Sequence, residues 1–196
     1  MTVEKISQLF LAFEKANLCN LRNLRNLRII LQTMSSPHIL VVCTANICRS
    51  PVGEALLKAR FQAENLADWT VSSAGTQAMT GFAASLFSRQ LMAEQGLDIA
   101  SHKSQPVTKS LLQQANLVVC MEMRHVKSLK STFPAHKNRL FTLKQMVGKR
   151  GSVRDPYGGT RRDYERMVAT VDRLIEQGFL RIKQLAEDNF QGSYLR

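Results

Sequence analysis

The 196-residue chain has the length of one ordinary domain with roughly thirty residues to spare, and 44% hydrophobic and 21% charged residues give the balance of a globular protein rather than a disordered one. No apolar run approaches the ~18 residues of a membrane-spanning helix, so no transmembrane segment is expected. The four cysteines, without framework spacing, argue against a disulfide-stapled secreted module and for the reducing cytoplasm. The start MTVEKISQLFLAFEK has no basic front, apolar core and cleavage site, so no secretory signal is expected. A formal charge of +12 points to an anionic partner or substrate.

Residues 1–36 read as an N-terminal extension, helical or disordered, and residues 37–196 as the folded domain. The extension carries Asn20-Leu21-Arg22, Asn23-Leu24-Arg25 and Asn26-Leu27-Arg28. A three-residue period slips about 60° per repeat on a helix, so these leucines form no single stripe. His38–Cys43 is a continuous apolar, β-branched run, as a buried parallel strand should be. Ser50-Pro51 reads as the N-cap and first position of a helix reaching about Asn65. A second strand is expected over Thr70–Ala74, ending at Gly75, then a helix from about Ala83 to Gln95 stopped by Gly96. Asn116–Met121 reads as a third strand and Arg139–Leu143 as a weaker fourth. The last helix begins near Arg162, with Tyr164, Met167, Val168, Val171, Leu174, Ile175, Ile182 and Leu185 on one apolar face. Strands alternating with helices indicate an α/β fold, a small parallel sheet covered on both faces, with ligands beyond the carboxyl ends of the strands.

Cys43 falls at such an end, and Cys43-Thr44-Ala45-Asn46-Ile47-Cys48-Arg49-Ser50 joins the first strand to the first helix. A short loop feeding a helix N-terminus aims successive backbone N–H groups into one concavity, where they bind phosphate and favour thiolate over thiol. Arg49 can grip two phosphate oxygens through its planar fork. Ser50 can donate to the sulfur, and Asn46 tolerates a left-handed backbone while bracing the loop. Asp155-Pro156-Tyr157 precedes the last helix: Asp155 can protonate a leaving oxygen and then activate water, and Tyr157 can wall an aromatic slot. Cys48 has two readings, a space-filling thiol or a partner that captures an oxidised Cys43 as a disulfide.

The chain resembles the low-molecular-weight protein tyrosine phosphatases, including bacterial members acting with tyrosine kinases of surface-polysaccharide systems. The resemblance covers about Pro37 to Leu185 and rests on the Cys43–Ser50 loop, Val71–Thr76, His102, Val118–Glu122 and Asp155–Tyr157, in family order and spacing. It implies a doubly wound, four-stranded parallel sheet of the phosphotyrosine phosphatase I type, with no metal and no cofactor. It implies Cys43 as nucleophile forming a phosphocysteine, Arg49 as phosphate clamp and Asp155 as general acid and base. Thr44, Ala45, Asn46, Ile47, Cys48 and Ser50 then form the phosphate loop, and Ser73 and His102 join Asn46 in bracing it.

The implied partner is a phosphotyrosine protein, such as one of those kinases. Met79 stands where several relatives carry tryptophan, so Tyr157, Met79 and Phe82 are the expected substrate wall. Ile47 matches the tyrosine-directed branch, whereas Gly158-Gly159 resembles the branch directed at phosphoarginine.

Three further readings follow from the same residues. An arsenate reductase of this fold needs two more relay cysteines, and none follows Cys120. A zinc site from Cys43, Cys48, Cys120 and a histidine has the wrong spacing. A phosphate-binding module without catalysis is opposed by Cys43 and Asp155 together. Nine basic residues and no acid between Met123 and Arg154 fit a steering surface for phosphorylated or acidic protein segments. With no interleaved aromatics or recognition motif, nucleic acid is not expected.

Overall fold

A computed structural model of the protein describes residues 36–192. The expected extension, Ser36 apart, lies outside them. Four strands, β1 (His38–Cys43), β2 (Thr70–Gly75), β3 (Leu117–Cys120) and β4 (Leu140–Thr142), form one parallel sheet in the order β2-β1-β3-β4. Around it lie α1 (Arg49–Ala63), α2 (Leu86–Glu94), α3 (Lys109–Gln114), α4 (Met123–Thr132) and α5 (Arg161–Gly192), with 3-10 turns at Pro134–Arg139 and Leu143–Val147.

The run Ile39-Leu40-Val41-Val42 is apolar throughout because both faces of β1 are covered. Ile39, Val41 and Cys43 join a core with Val52, Leu57 and Phe61 of α1 and Val168, Val171, Ile175 and Ile182 of α5. Leu40 and Val42 point the other way, into a second core with Val118 and Cys120 of β3, Leu112 of α3 and Val126 and Leu129 of α4. The doubly wound sheet expected from the strand–helix alternation is therefore present, and the apolar stripe expected on the last helix is the one buried.

Several boundaries differ. α1 begins at Arg49 with Cys48 at its N-cap position, not at Ser50. The hydroxyl of Ser50 bonds loop atoms, and Pro51 fits the first turn, where its missing N–H has no intrahelical partner to lose. α2 starts three residues later than expected because the Ser85 N–H donates to the Ile47 carbonyl at 2.7 Å, which ties residues 82–85 to the loop in extended form. α3 and α4 are absent from the sequence reading. Both are short, and the exposed side of α4 carries Arg124, Lys127 and Lys130.

Candidate active site

The loop Thr44–Cys48 leaves the carboxyl end of β1, where Cys43 pairs in register with Gly75 of β2. A Cβ on Gly75 would lie 2.4 Å from the Thr44 carbonyl oxygen and 2.9 Å from the Asn46 nitrogen, so only glycine lets the loop pack there. The N–H groups of Thr76 and Gln77 donate to the carbonyls of Cys43 and Thr44 at 3.0 and 2.9 Å and clip the loop to the next segment. Asn46, at φ 56°, takes the left-handed conformation its side chain type tolerates and turns its own N–H back onto Cys43 Sγ at 3.2 Å. Ser50 Oγ lies 3.0 Å from the same sulfur.

A buried polar brace sits beneath the loop. Asn46 Nδ2 donates to Ser50 Oγ and Ser73 Oγ, both at 2.8 Å, and Ser73 Oγ donates to Glu54 Oε2 at 2.6 Å. Asn46 Oδ1 accepts from the Gln105 N–H at 3.0 Å, and His102 Nε2 meets the Asn46 carbonyl at 2.8 Å. Asn46, Ser73 and His102 are thus brought together under the loop, with Gln105 and Glu54 as members that sequence reasoning missed.

Arg49 is the most deeply set charge, its side chain only 1% exposed. Nη1 donates to Glu122 Oε1 at 2.6 Å and the Val153 carbonyl at 3.2 Å. Nη2 donates to Asp155 Oδ2 at 2.6 Å and Thr44 Oγ1 at 3.3 Å. Nε is buried with no partner among the described residues. Burial pushes the Glu122 carboxyl up, but bonds from Arg124 and Arg49 outweigh it and hold the group below the usual carboxylate range. Burial drives the pKa of His125 down to about 4, so the ring is neutral, with Nε2 3.0 Å from Thr44 Oγ1.

A cleft of ≈ 430 Å³ opens above the loop, lined by Cys43, Thr44, Ala45, Ile47, Cys48, Arg49 and Asp155. Met79, Phe82 and Tyr157, the residues expected to wall the substrate, also line it and are exposed at 69%, 52% and 72%. Asn46 and Ser50 lie beneath the cleft, fully buried. Cys48 Sγ faces the Tyr164 hydroxyl at 3.4 Å, and burial pushes both groups up, Tyr164 to about 12. Cys120 belongs to the core on the opposite sheet face from Cys43.

Glu122, His125 and Arg124 also escaped sequence reasoning as site members. Their one signal was position, immediately beyond the carboxyl end of the strand beside β1.

Residues 38–190 match the family described as low molecular weight phosphotyrosine protein phosphatase. A probable low molecular weight protein-tyrosine-phosphatase of Ralstonia nicotianae is 33% identical over 75% of this chain and 97% of its own length. The protein-arginine-phosphatase of Bacillus subtilis is 35% identical over 76% and 97%. Among solved structures, the low molecular weight protein tyrosine phosphatase of T. tengcongensis superposes with a TM-score of 0.71 at 36% identity, covering 74% of this chain and 99% of that one. With a sheet, a loop and a match spanning nearly every described residue, the chain belongs to the low molecular weight phosphotyrosine protein phosphatase family.

Proposed function

We propose that this phosphatase hydrolyses phosphotyrosine in proteins through a phosphocysteine on Cys43. The observation that carries the reading is the convergence on one sulfur of the Asn46 N–H, the Ser50 hydroxyl and a helix N-terminus, beside a buried arginine whose Nε has no acceptor among the described residues. A phosphate oxygen supplies that acceptor, and Nη2, now held by Asp155, supplies a second donor once the phosphate displaces the carboxylate. The Cys43 thiolate attacks phosphorus in line, forming the S–P bond as the P–O bond to the phenol breaks. Asp155, freed from Arg49, takes up a proton from solvent and passes it to the leaving oxygen. It then takes a proton from water as the water oxygen attacks phosphorus, the S–P bond breaks and inorganic phosphate leaves. Loop amides and Arg49 meet the equatorial oxygens throughout. Ser73 and His102 act through Asn46, keeping the loop in shape.

An aromatic substrate is supported by Ile47 on the cleft floor and by Met79, Phe82 and Tyr157 around its mouth, an apolar slot for a phenyl ring. The phosphoarginine reading is favoured by Gly158-Gly159 after Tyr157 and by the 35% identity to the Bacillus subtilis arginine phosphatase. The thiolate requires reduced Cys43, which supports a cytoplasmic setting for the enzyme and its phosphoprotein partner.

Comparing kcat/KM for phosphotyrosine, phosphoserine and phosphoarginine peptides, with and without residues 1–36, tests the reading. Phosphotyrosine is expected to lead, with phosphate trapped on Cys43 by acid quench. Faster phosphoarginine turnover selects the second reading, and failure to find phosphorus on Cys43 overturns the mechanism.

A further inference from the structure

The two sides of the cleft mouth differ in chemistry. Met79, Phe82 and Tyr157 form an apolar side. Beside the mouth on the other side, where Arg124 reaches Thr44, the start of α4 meets residues 149–154. The Met123 N–H donates to Ser152 Oγ at 3.2 Å, the Val153 N–H donates to the Met121 carbonyl at 2.8 Å, and the Val153 carbonyl accepts from Arg49. These bonds bring Lys149, Arg150 and Arg154 alongside Arg124 and Lys127, all five exposed.

The acids nearby are already engaged. Glu122 is held by Arg49 and Arg124, and Asp155 by Arg49. Lys127, Lys149, Arg150 and Arg154 make no salt bridge with any described residue, and no acid lies within Met123–Arg154. Arg124 marks the join with the cleft. Its Nε and Nη2 grip both oxygens of Glu122 at 2.9 Å, and Nη2 reaches Thr44 Oγ1 of the phosphate loop at 3.2 Å. Two-point attachment to Glu122 orients the guanidinium at the rim.

We propose that this side of the mouth is a docking surface for an acidic segment of the substrate protein, with Asp or Glu side chains flanking the phosphorylated residue. The inference rests on the phosphatase reading above and names the sequence class that reading leaves open. Uncompensated charges beside a low-dielectric cleft both steer an acidic chain and hold it. The apolar side takes the ring and the basic side takes its neighbours.

The test uses the full chain at low salt and two phosphotyrosine peptides identical except for Asp/Glu or Asn/Gln flanks. Hydrolysis of para-nitrophenyl phosphate by the wild-type protein reports the phosphatase reading by itself. Its absence would sink both, whereas its presence without a flank preference would sink only the docking surface. The expected kcat/KM ratio is about tenfold in favour of the acidic peptide, shrinking toward unity at high salt as the charges are screened. Lys127→Glu combined with Arg150→Glu should abolish the ratio and transfer the preference to a Lys-flanked peptide, a gain that misfolding cannot imitate. Arg181→Glu, on the exposed side of α5, should leave the ratio intact. A ratio unchanged in the double variant overturns the proposal. So does a fluorescent single-stranded oligonucleotide that competes better than the acidic peptide at equal salt, since the surface would then serve nucleic acid.

Discussion

The backbone N–H of Gln105 donates to Oδ1 of Asn46 at 3.0 Å, and this one bond sets the direction of the protons that run from the Asn46 side chain to Ser50 and Ser73. With Oδ1 accepting, Nδ2 must be the atom facing Ser50 and Ser73, so both hydroxyls accept from it. Ser73 is then left to donate to Glu54, and Ser50 to donate to Cys43 Sγ. A main-chain amide fifty-nine residues along the chain from Asn46 thereby aims a proton at the nucleophile.

Ser50→Ala removes that donor. A hydrogen bond to a charged atom contributes about 1.5–3 kcal/mol, so formation of the phosphoenzyme should slow about ten- to a hundredfold. Alkylation of Cys43 by iodoacetate at neutral pH should slow as well. An unchanged alkylation rate would remove Ser50 from this role.

Asp155→Asn keeps the shape of the side chain and discards its proton chemistry. Loss of a general acid costs typically about 10²–10⁴-fold. The loss should be large for phenyl phosphate and small for aryl phosphates whose phenols leave unaided. Equal losses across that series would argue that Asp155 serves only to hold Arg49.

Arg49→Lys retains the charge but not the fork. An ammonium cannot reach Glu122, the Val153 carbonyl, Thr44 and Asp155 together, as the guanidinium does. We expect kcat to fall about 10²–10³-fold, the size of losing one preorganised donor at a reacting oxyanion, with weaker inhibition by inorganic phosphate.

Gly75→Ala forces a methyl group against the Thr44 carbonyl and the Asn46 nitrogen. Overpacking of this kind costs about 1–3 kcal/mol, here charged directly to the loop geometry. Both Tm and kcat should drop, and a variant that loses neither would show that the loop can shift without consequence.

His125 carries a pH dependence. Burial lowers its pKa from 6.5 to about 4 in the folded chain, so the unfolded chain binds its proton first. The stabilisation is complete above about pH 6.5 and is lost as pH falls toward 4, by up to roughly 3 kcal/mol. Urea midpoints at pH 7 and pH 4.5 should diverge in the wild type and draw together in His125→Asn. A slope that survives the substitution belongs to other groups.

What could be read beforehand had local causes. β1 shows as an unbroken apolar run because both its faces are buried, and α5 shows as a stripe because one face is. The Cys43–Ser50 loop concentrates its chemistry within one turn, and each of Cys43, Asn46, Arg49, Ser50, Ser73, His102 and Asp155 lies in or against it. Residues recruited through space gave little warning. Glu54 faces Ser73 from within α1, where an exposed glutamate would look the same. Gln105 contributes a main-chain N–H, which no side-chain pattern reports. Ser50 was misread as a cap because a helix start and a phosphate loop ask for the same residue type. α4 was missed because its three apolar residues, Met123, Val126 and Leu129, are matched by Arg124, Lys127 and Lys130 in a helix of only ten residues.

The pairing of β1 with β3 bridges seventy-eight residues at His38 and Asn116, and both strands end at the cleft. Parallel pairings this distant in sequence form late and slowly during folding. Helical signal should therefore return early on dilution from denaturant, with turnover recovering only in the final phase. Enzymatic recovery would then time closure of the sheet itself.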